Sequence, residues 1–174
     1  MKKKYNRRSI RLLGYDYTQE GFYFITICTY KHKCLLGKIK DGKMHLSKYG
    51  KIVKDEWIKT ETIRQNIKID KFVIMPNHIH GIIVIEESVG AYCDTPLQKF
   101  KSPSNTIGAI IRGFKSAVTK QINKIHNTSG IPVWQRNYYE HIIRDEQDYW
   151  RIAEYIQNNP LRWDLDKYYV EENF

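Results

Sequence analysis

The chain has 174 residues, 41% of them apolar. That is enough to build a core, suits one domain over 1–174, and excludes a disordered chain. Its 29 Lys and Arg against 19 Asp and Glu give a formal charge of +10, a balance that suits a polyanionic partner, most commonly nucleic acid. No run approaches the ~20 unbroken apolar residues of a membrane span, so no membrane partner is expected. The opening Met1-Lys2-Lys3-Lys4-Tyr5 leads into Asn6-Arg7-Arg8 rather than an apolar signal core, which argues against secretion. Cys28, Cys34 and Cys93 are odd in number and lack C-x-x-C spacing. A disulfide framework and a cysteine zinc site are therefore disfavoured, and a reduced cytoplasm is the expected location.

Residues 1–13 carry six positive charges and no acid, and read as a basic arm or a solvated lead-in. Gly21 opens an aromatic and β-branched run through Thr29, a buried strand. Asp41-Gly42 marks a tight turn between short strands at Leu35–Ile39 and Lys43–Leu46. Ser47 suits a helix N-cap, and Ile52, Val53, Trp57 and Ile58 follow near helical spacing, predicting a helix over 48–65. Two apolar runs, 68–75 and 78–86, meet at Pro76-Asn77 as an antiparallel hairpin. Residues 87–105 lack periodicity and contain Gly90, Pro96 and Pro103, the pattern of a mobile loop.

Ser104 or Asn105 suits the cap of a second helix with Ile107, Ile110, Ile111, Phe114, Val118 and Ile122 on one side. A short strand is read at 138–143, and Asp145 caps a last helix that must stop near Pro160. The core order is β-α-β-β-α-β. It predicts a ferredoxin-like α+β domain: a split β-α-β antiparallel sheet, helices on one face, and a C-terminal helix besides.

Three constellations carry chemistry. Side chains alternate across a strand, so His78 and His80 share a face with Cα atoms roughly 6.5–7 Å apart. Two imidazoles at that spacing can converge on one metal ion; a hairpin mouth with two polar residues is the bland alternative. On the last helix, Tyr149, Ile152, Ala153 and Ile156 form the apolar stripe, and Tyr155 and Asn159 lie one above the other beside it. Spacing alone equally fits a packed boundary tyrosine and an ordinary helix end. The third is basic and aromatic interleaving. Arg7, Arg8 and Arg11 precede Tyr15 and Tyr17, and Trp134, Arg136, Tyr138, Tyr139 and Arg144 follow later, as in single-strand binders. Arg112 and Lys115 add cations on the polar faces of the second helix.

Together these residues resemble a known family. Met75-Pro76-Asn77-His78-Ile79-His80-Gly81 resembles the His-hydrophobic-His segment of single-tyrosine HUH transposases. Trp134 to Arg144, followed by Tyr155-Ile156-Gln157-Asn158-Asn159-Pro160, resembles the branch of REP-associated tyrosine transposases. The opening Arg11 to Tyr17 and the Thr26-x-Cys28-Thr29 strand fit the same branch.

The resemblance implies a metal-dependent DNA strand transferase that nicks and rejoins single-stranded DNA near a hairpin. It implies that His78 and His80 hold a divalent ion, Mg²⁺ or Mn²⁺, and that Tyr155 is the nucleophile. It also implies Asn159 as third ligand, where insertion-sequence relatives carry Gln four residues after the tyrosine. Attack by Tyr155 would leave a 5′-phosphotyrosine and a free 3′-OH, a link that another 3′-OH can reverse without ATP. Two histidines with oxygen ligands also suit zinc. His141 suits either proton transfer or a structural hydrogen bond. The resemblance admits a monomer and a homodimer with shared active sites. Two other readings share parts of the pattern: a structure-specific nucleic-acid-binding protein that does not cut, and a small replication initiator or relaxase.

Overall fold

In the computed structural model, which describes residues 19–86 and 106–170, the first strand runs Gly21–Cys28 (β1). The basic arm 1–13, with Arg7, Arg8 and Arg11, and the expected loop 87–105 lie outside the described residues. A short hairpin follows, Gly37–Lys40 (β2) and Lys43–Leu46 (β3). Asp41 and Gly42 both take positive φ, 51° and 67°, as a two-residue turn of the primed type requires.

Ser47 then caps Lys48–Ile63 (α1), its hydroxyl accepting from the amides of Tyr49 and Gly50 at 3.1 Å each. Ile67–Met75 (β4) and His78–Ile85 (β5) form the second hairpin. Ile107–Ile125 (α2), Tyr139–Ile143 (β6) and Glu146–Asn158 (α3) complete the regular elements. The cap of α2 is Thr106, which accepts from Ala109 N at 3.1 Å, and not Ser104 or Asn105. A hydroxyl one residue later serves the same orphan amides. Asp145 caps α3 as expected, and Pro160 sits in the first turn of a 3-10 segment, Asn159–Leu165, that continues from it.

The main sheet has the order β4-β5-β1-β6, antiparallel throughout, with β2 and β3 as a separate ribbon. This is the ferredoxin-like arrangement with a hairpin inserted between β1 and α1. Alternation splits the sheet into two faces. Tyr23, Ile25, Ile27, Ile79, Ile83 and Ile85 bury against Val53 and Trp57 of α1 and Ile107, Ile110, Phe114 and Val118 of α2. Phe24, Ile82 and Ile143 pack on Ile152 and Ile156 of α3 from the other side. Gly81 lets Trp57 lie flat on β5: a β-carbon there would stand 2.7 Å from Trp57 Cζ2 and 3.2 Å from Phe72 Cβ. Among the described residues, no helix is long and apolar enough to cross a membrane.

Candidate metal and nucleophile site

The site lies on the α3 face of the sheet, because the even-numbered residues of β5 point there. Opposite them on β1, Cys28 pairs with His78 and Thr26 with His80. Both imidazoles are almost fully buried, at 0% and 1% exposure, and their ring centroids are 4.4 Å apart. His78 Nδ1 lies 2.8 Å from Asn77 Oδ1. An amide oxygen only accepts, so Nδ1 carries the proton and Nε2 keeps its lone pair. That Nε2 is buried with no partner among the described residues. His80 Nδ1 bonds Thr26 Oγ1 at 2.8 Å, which aims its Nε2 at the Tyr155 hydroxyl, 3.1 Å away.

Tyr155 comes from the last turns of α3, braced edge-on against Phe24 and 40% exposed. Its hydroxyl also reaches Asp166 Oδ2 at 3.4 Å. Asn159 is buried where α3 passes into the 3-10 segment. Its Nδ2 donates to Asp166 Oδ2 at 3.0 Å, and its Oδ1 has no partner among the described residues. Two buried polar atoms near one another in the fold, His78 Nε2 and Asn159 Oδ1, are thus unsatisfied among the described residues. Orphans of this kind cost about 1–3 kcal/mol each unless a ligand takes them. One donor atom each from His78, His80 and Asp166 falls within 4.8 Å of the others. Two nitrogens and anionic or amide oxygens match the donor set of a borderline or hard divalent ion.

Burial pushes the His78 imidazole down to about 4, partly opposed by the Asp166 charge, and pushes His80 well below its ordinary range. Both are therefore neutral, lone-pair-bearing ligands at pH 7. Burial and the neighbouring Asp166 carboxylate push the Tyr155 phenol up to about 12. Outside the pocket, a cleft of about 390 Å³ opens between α3 and the 3-10 segment, lined by Tyr155 and Asn159, by the acids Glu154 and Asp166, and by Arg151 and Arg162.

The structure brings together His78, His80, Tyr155 and Asn159. It adds groups that the sequence reading missed. Asp166 is carried back by the 3-10 segment. Asn77 bonds His78 and also donates to the carbonyls of His32 and Tyr168, at 3.2 and 2.7 Å. The Tyr168 ring packs on His78 at 4.9 Å. Residue spacing carries no signal for Asp166 or Tyr168; the Pro76-Asn77 turn beside His78 was the available hint for Asn77.

The cations are more dispersed. Arg112, Arg136 and Arg144 are exposed. Lys115 turns inward: its ammonium donates to the carbonyls of Gln135 and Asn137 at 2.9 Å each, and burial pushes it down to about 8. Trp134 is a core residue packed on Phe114, so it offers no open face for a base. His141 is bound to Asp148 at 2.6 Å.

No family model matches the chain. It is 50% identical over 182 residues to an uncharacterized protein of Haemophilus influenzae, covering 98% of this chain and 100% of that protein. Its fold matches a solved structure of the REP-associated tyrosine transposase bound to a REP hairpin. There the TM-score is 0.56 and the identity 20%, over 90% of this chain and 76% of the other. The chain belongs to one family with the Haemophilus influenzae protein, and it is built on the fold of the REP-associated tyrosine transposase.

Proposed function

We propose that the chain is a divalent-metal-dependent DNA strand transferase that cuts and rejoins single-stranded DNA near a hairpin, with Tyr155 as nucleophile. The observation that carries this reading is one pocket. In it a tyrosine hydroxyl stands 3.1 Å from the buried His80 Nε2, and two further buried atoms, His78 Nε2 and Asn159 Oδ1, lack partners among the described residues. The solved neighbour is described as bound to a hairpin, which supports the substrate class.

His78, His80 and Asn159, with Asp166 beside them, would hold the ion. When bound, Mg²⁺ or Mn²⁺ supplies neutralisation of charge on the scissile phosphate without redox chemistry. The remaining work belongs to the chain. Phe24 and the α3 backbone hold the Tyr155 ring so that its oxygen points at the pocket mouth. The Tyr155 oxygen attacks phosphorus, and its proton passes to Asp166, the carboxylate in reach at 3.4 Å. The bond to the 3′ oxygen breaks, and that oxygen leaves as a 3′-OH after taking a proton. The 5′ phosphate stays on Tyr155, where a second 3′-OH can displace it. Arg151 and Arg162 line the cleft through which the strand would enter, and Arg112, Arg136 and Arg144 are further phosphate contacts.

The test is a denaturing gel of the protein mixed with Mn²⁺ and a labelled single strand bearing a hairpin. Wild type should form a covalent adduct. Tyr155→Phe should form none while binding DNA with near wild-type affinity, because only the hydroxyl is lost. An adduct that persists in Tyr155→Phe, on Tyr149 or Tyr168, rejects the assignment.

A further inference from the structure

The ribbon formed by β2 and β3 is an insertion in the β-α-β-β-α-β core, and its two faces differ sharply. Met44 and Leu46 turn inward onto the core. The outer face carries Lys38 opposite His45 and Lys40 opposite Lys43, all four exposed. Lys40 and Lys43 are like charges directly across the strand pair and repel, a cost that a bound anion relieves. The surrounding sequence strengthens the field: residues 31–54 contain eight lysines and one acid, Asp41 in the turn.

The ribbon is also tied to the site. Leu161, two residues beyond Asn159, sits against its turn, where a β-carbon on Gly42 would lie 2.6 Å from Leu161 Cδ2. The next residue, Arg162, lines the cleft beside Tyr155. Leu161 and Arg162 therefore join the ribbon turn to the cleft.

We propose that the outer face of the β2–β3 ribbon grips the phosphate backbone of the duplex stem of the DNA hairpin, next to the single strand that enters the cleft. This rests on the strand-transfer reading and extends it to a second contact surface. The chemistry favours duplex over single strand. Single-strand grooves pair cations with aromatic platforms, and this face has no Phe, Tyr or Trp. Cations alone suit a duplex backbone, and a two-stranded ribbon has the width to enter a major groove. The uniform positive charge also disfavours a second copy of the same face.

The experiment compares wild type with a triple variant, Lys38→Gln, Lys40→Gln and Lys43→Gln. Kd is measured against salt for two labelled DNAs: a hairpin with a single-stranded flank, and an unstructured strand of equal length. The hairpin Kd of the variant should rise at least about tenfold at low salt. The slope of log affinity against log salt should flatten by about 0.9 per stem contact removed. The loss on the unstructured strand should be clearly smaller. A second variant with Arg at the three positions should keep wild-type binding.

An unchanged slope, or equal losses on both DNAs, overturns the proposal. So does a triple variant that binds both DNAs normally but no longer binds polyglutamate, since that assigns the ribbon to an acidic protein surface. Covalent adduct on wild type is scored in the same samples. Its absence would reject the strand-transfer reading, while the salt slopes would still decide whether the ribbon grips the stem.

Discussion

Asn159 donates its amide nitrogen to Asp166, and its oxygen is buried without a partner among the described residues. A bound ion would satisfy that oxygen beside His78 and His80. Asn159→Ala should therefore weaken Mn²⁺ affinity about tenfold or more, the scale seen when support of a metal site is lost. Raised Mg²⁺ or Mn²⁺ should restore part of the cleavage, because hard ions replace a missing oxygen with water. His78→Ala and His80→Ala should be more severe, and Tyr155→Phe should show no rescue. Cleavage against metal concentration checks this; a wild-type curve for Asn159→Ala would leave Asn159 as a helix end only.

The two histidines also set a pH dependence in metal-free protein. Their folded-state pKa values lie below the ordinary 6.5, at about 4 for His78. As pH falls, the unfolded chain binds protons first. The contribution to stability is thus complete above about 6.5 and is lost as pH falls through the folded value. Tm of EDTA-treated protein should decline between pH 7 and pH 4, and less so in His78→Gln. A flat profile would show that the imidazoles are not held neutral by burial. At this scale the sequence was informative where a local period fixes direction. Strand alternation placed His78 with His80, and helical pitch placed Tyr155 over Asn159. Asp166 follows a 3-10 segment containing Pro160 and a break from helical geometry at Arg162, and no local period encodes where such a segment turns.

Among the elements, β5 carries both histidines and a tight contact with α1. His80 and Gly81 are neighbours, and Gly81 is the point where Trp57 of α1 touches the sheet. Gly81→Ala should overpack that contact and cost about 1–3 kcal/mol. It should also lower metal affinity by shifting His80. Thermal unfolding and a Mn²⁺ titration measure the two effects; full stability would mean that Trp57 can move aside. The elements themselves were legible because their signals are local: the Asp41-Gly42 turn, the Ser47 and Asp145 caps, and the β-branched runs of β4 and β5. The cap of α2 fell at Thr106 because several adjacent hydroxyl and amide residues compete for that position. Trp134, which interleaves with cations in the sequence, belongs to the core: an isolated bridge pairs it with Thr29, and Phe114 packs on its ring. Both contacts join distant parts of the chain, which one-dimensional patterning does not record.

At the scale of the whole molecule, the sheet separates stability from chemistry. One face is closed by α1 and α2 over a large apolar cluster, while the other holds α3, a smaller cluster and the polar pocket. The histidines are thereby fixed on a rigid strand, and the tyrosine stands on a helix that packs against the same strand's neighbours. The proposed function requires this pocket to be one metal site with its nucleophile in place. The decisive experiment is a crystal structure of the protein soaked in Mn²⁺, with anomalous scattering recorded. One strong peak is expected about 2.1 Å from His78 Nε2 and His80 Nε2, with Asn159 or Asp166 oxygen completing the contact and Tyr155 beside it. Ordered density with no peak in the pocket, or a peak bound only by surface carboxylates, would contradict it.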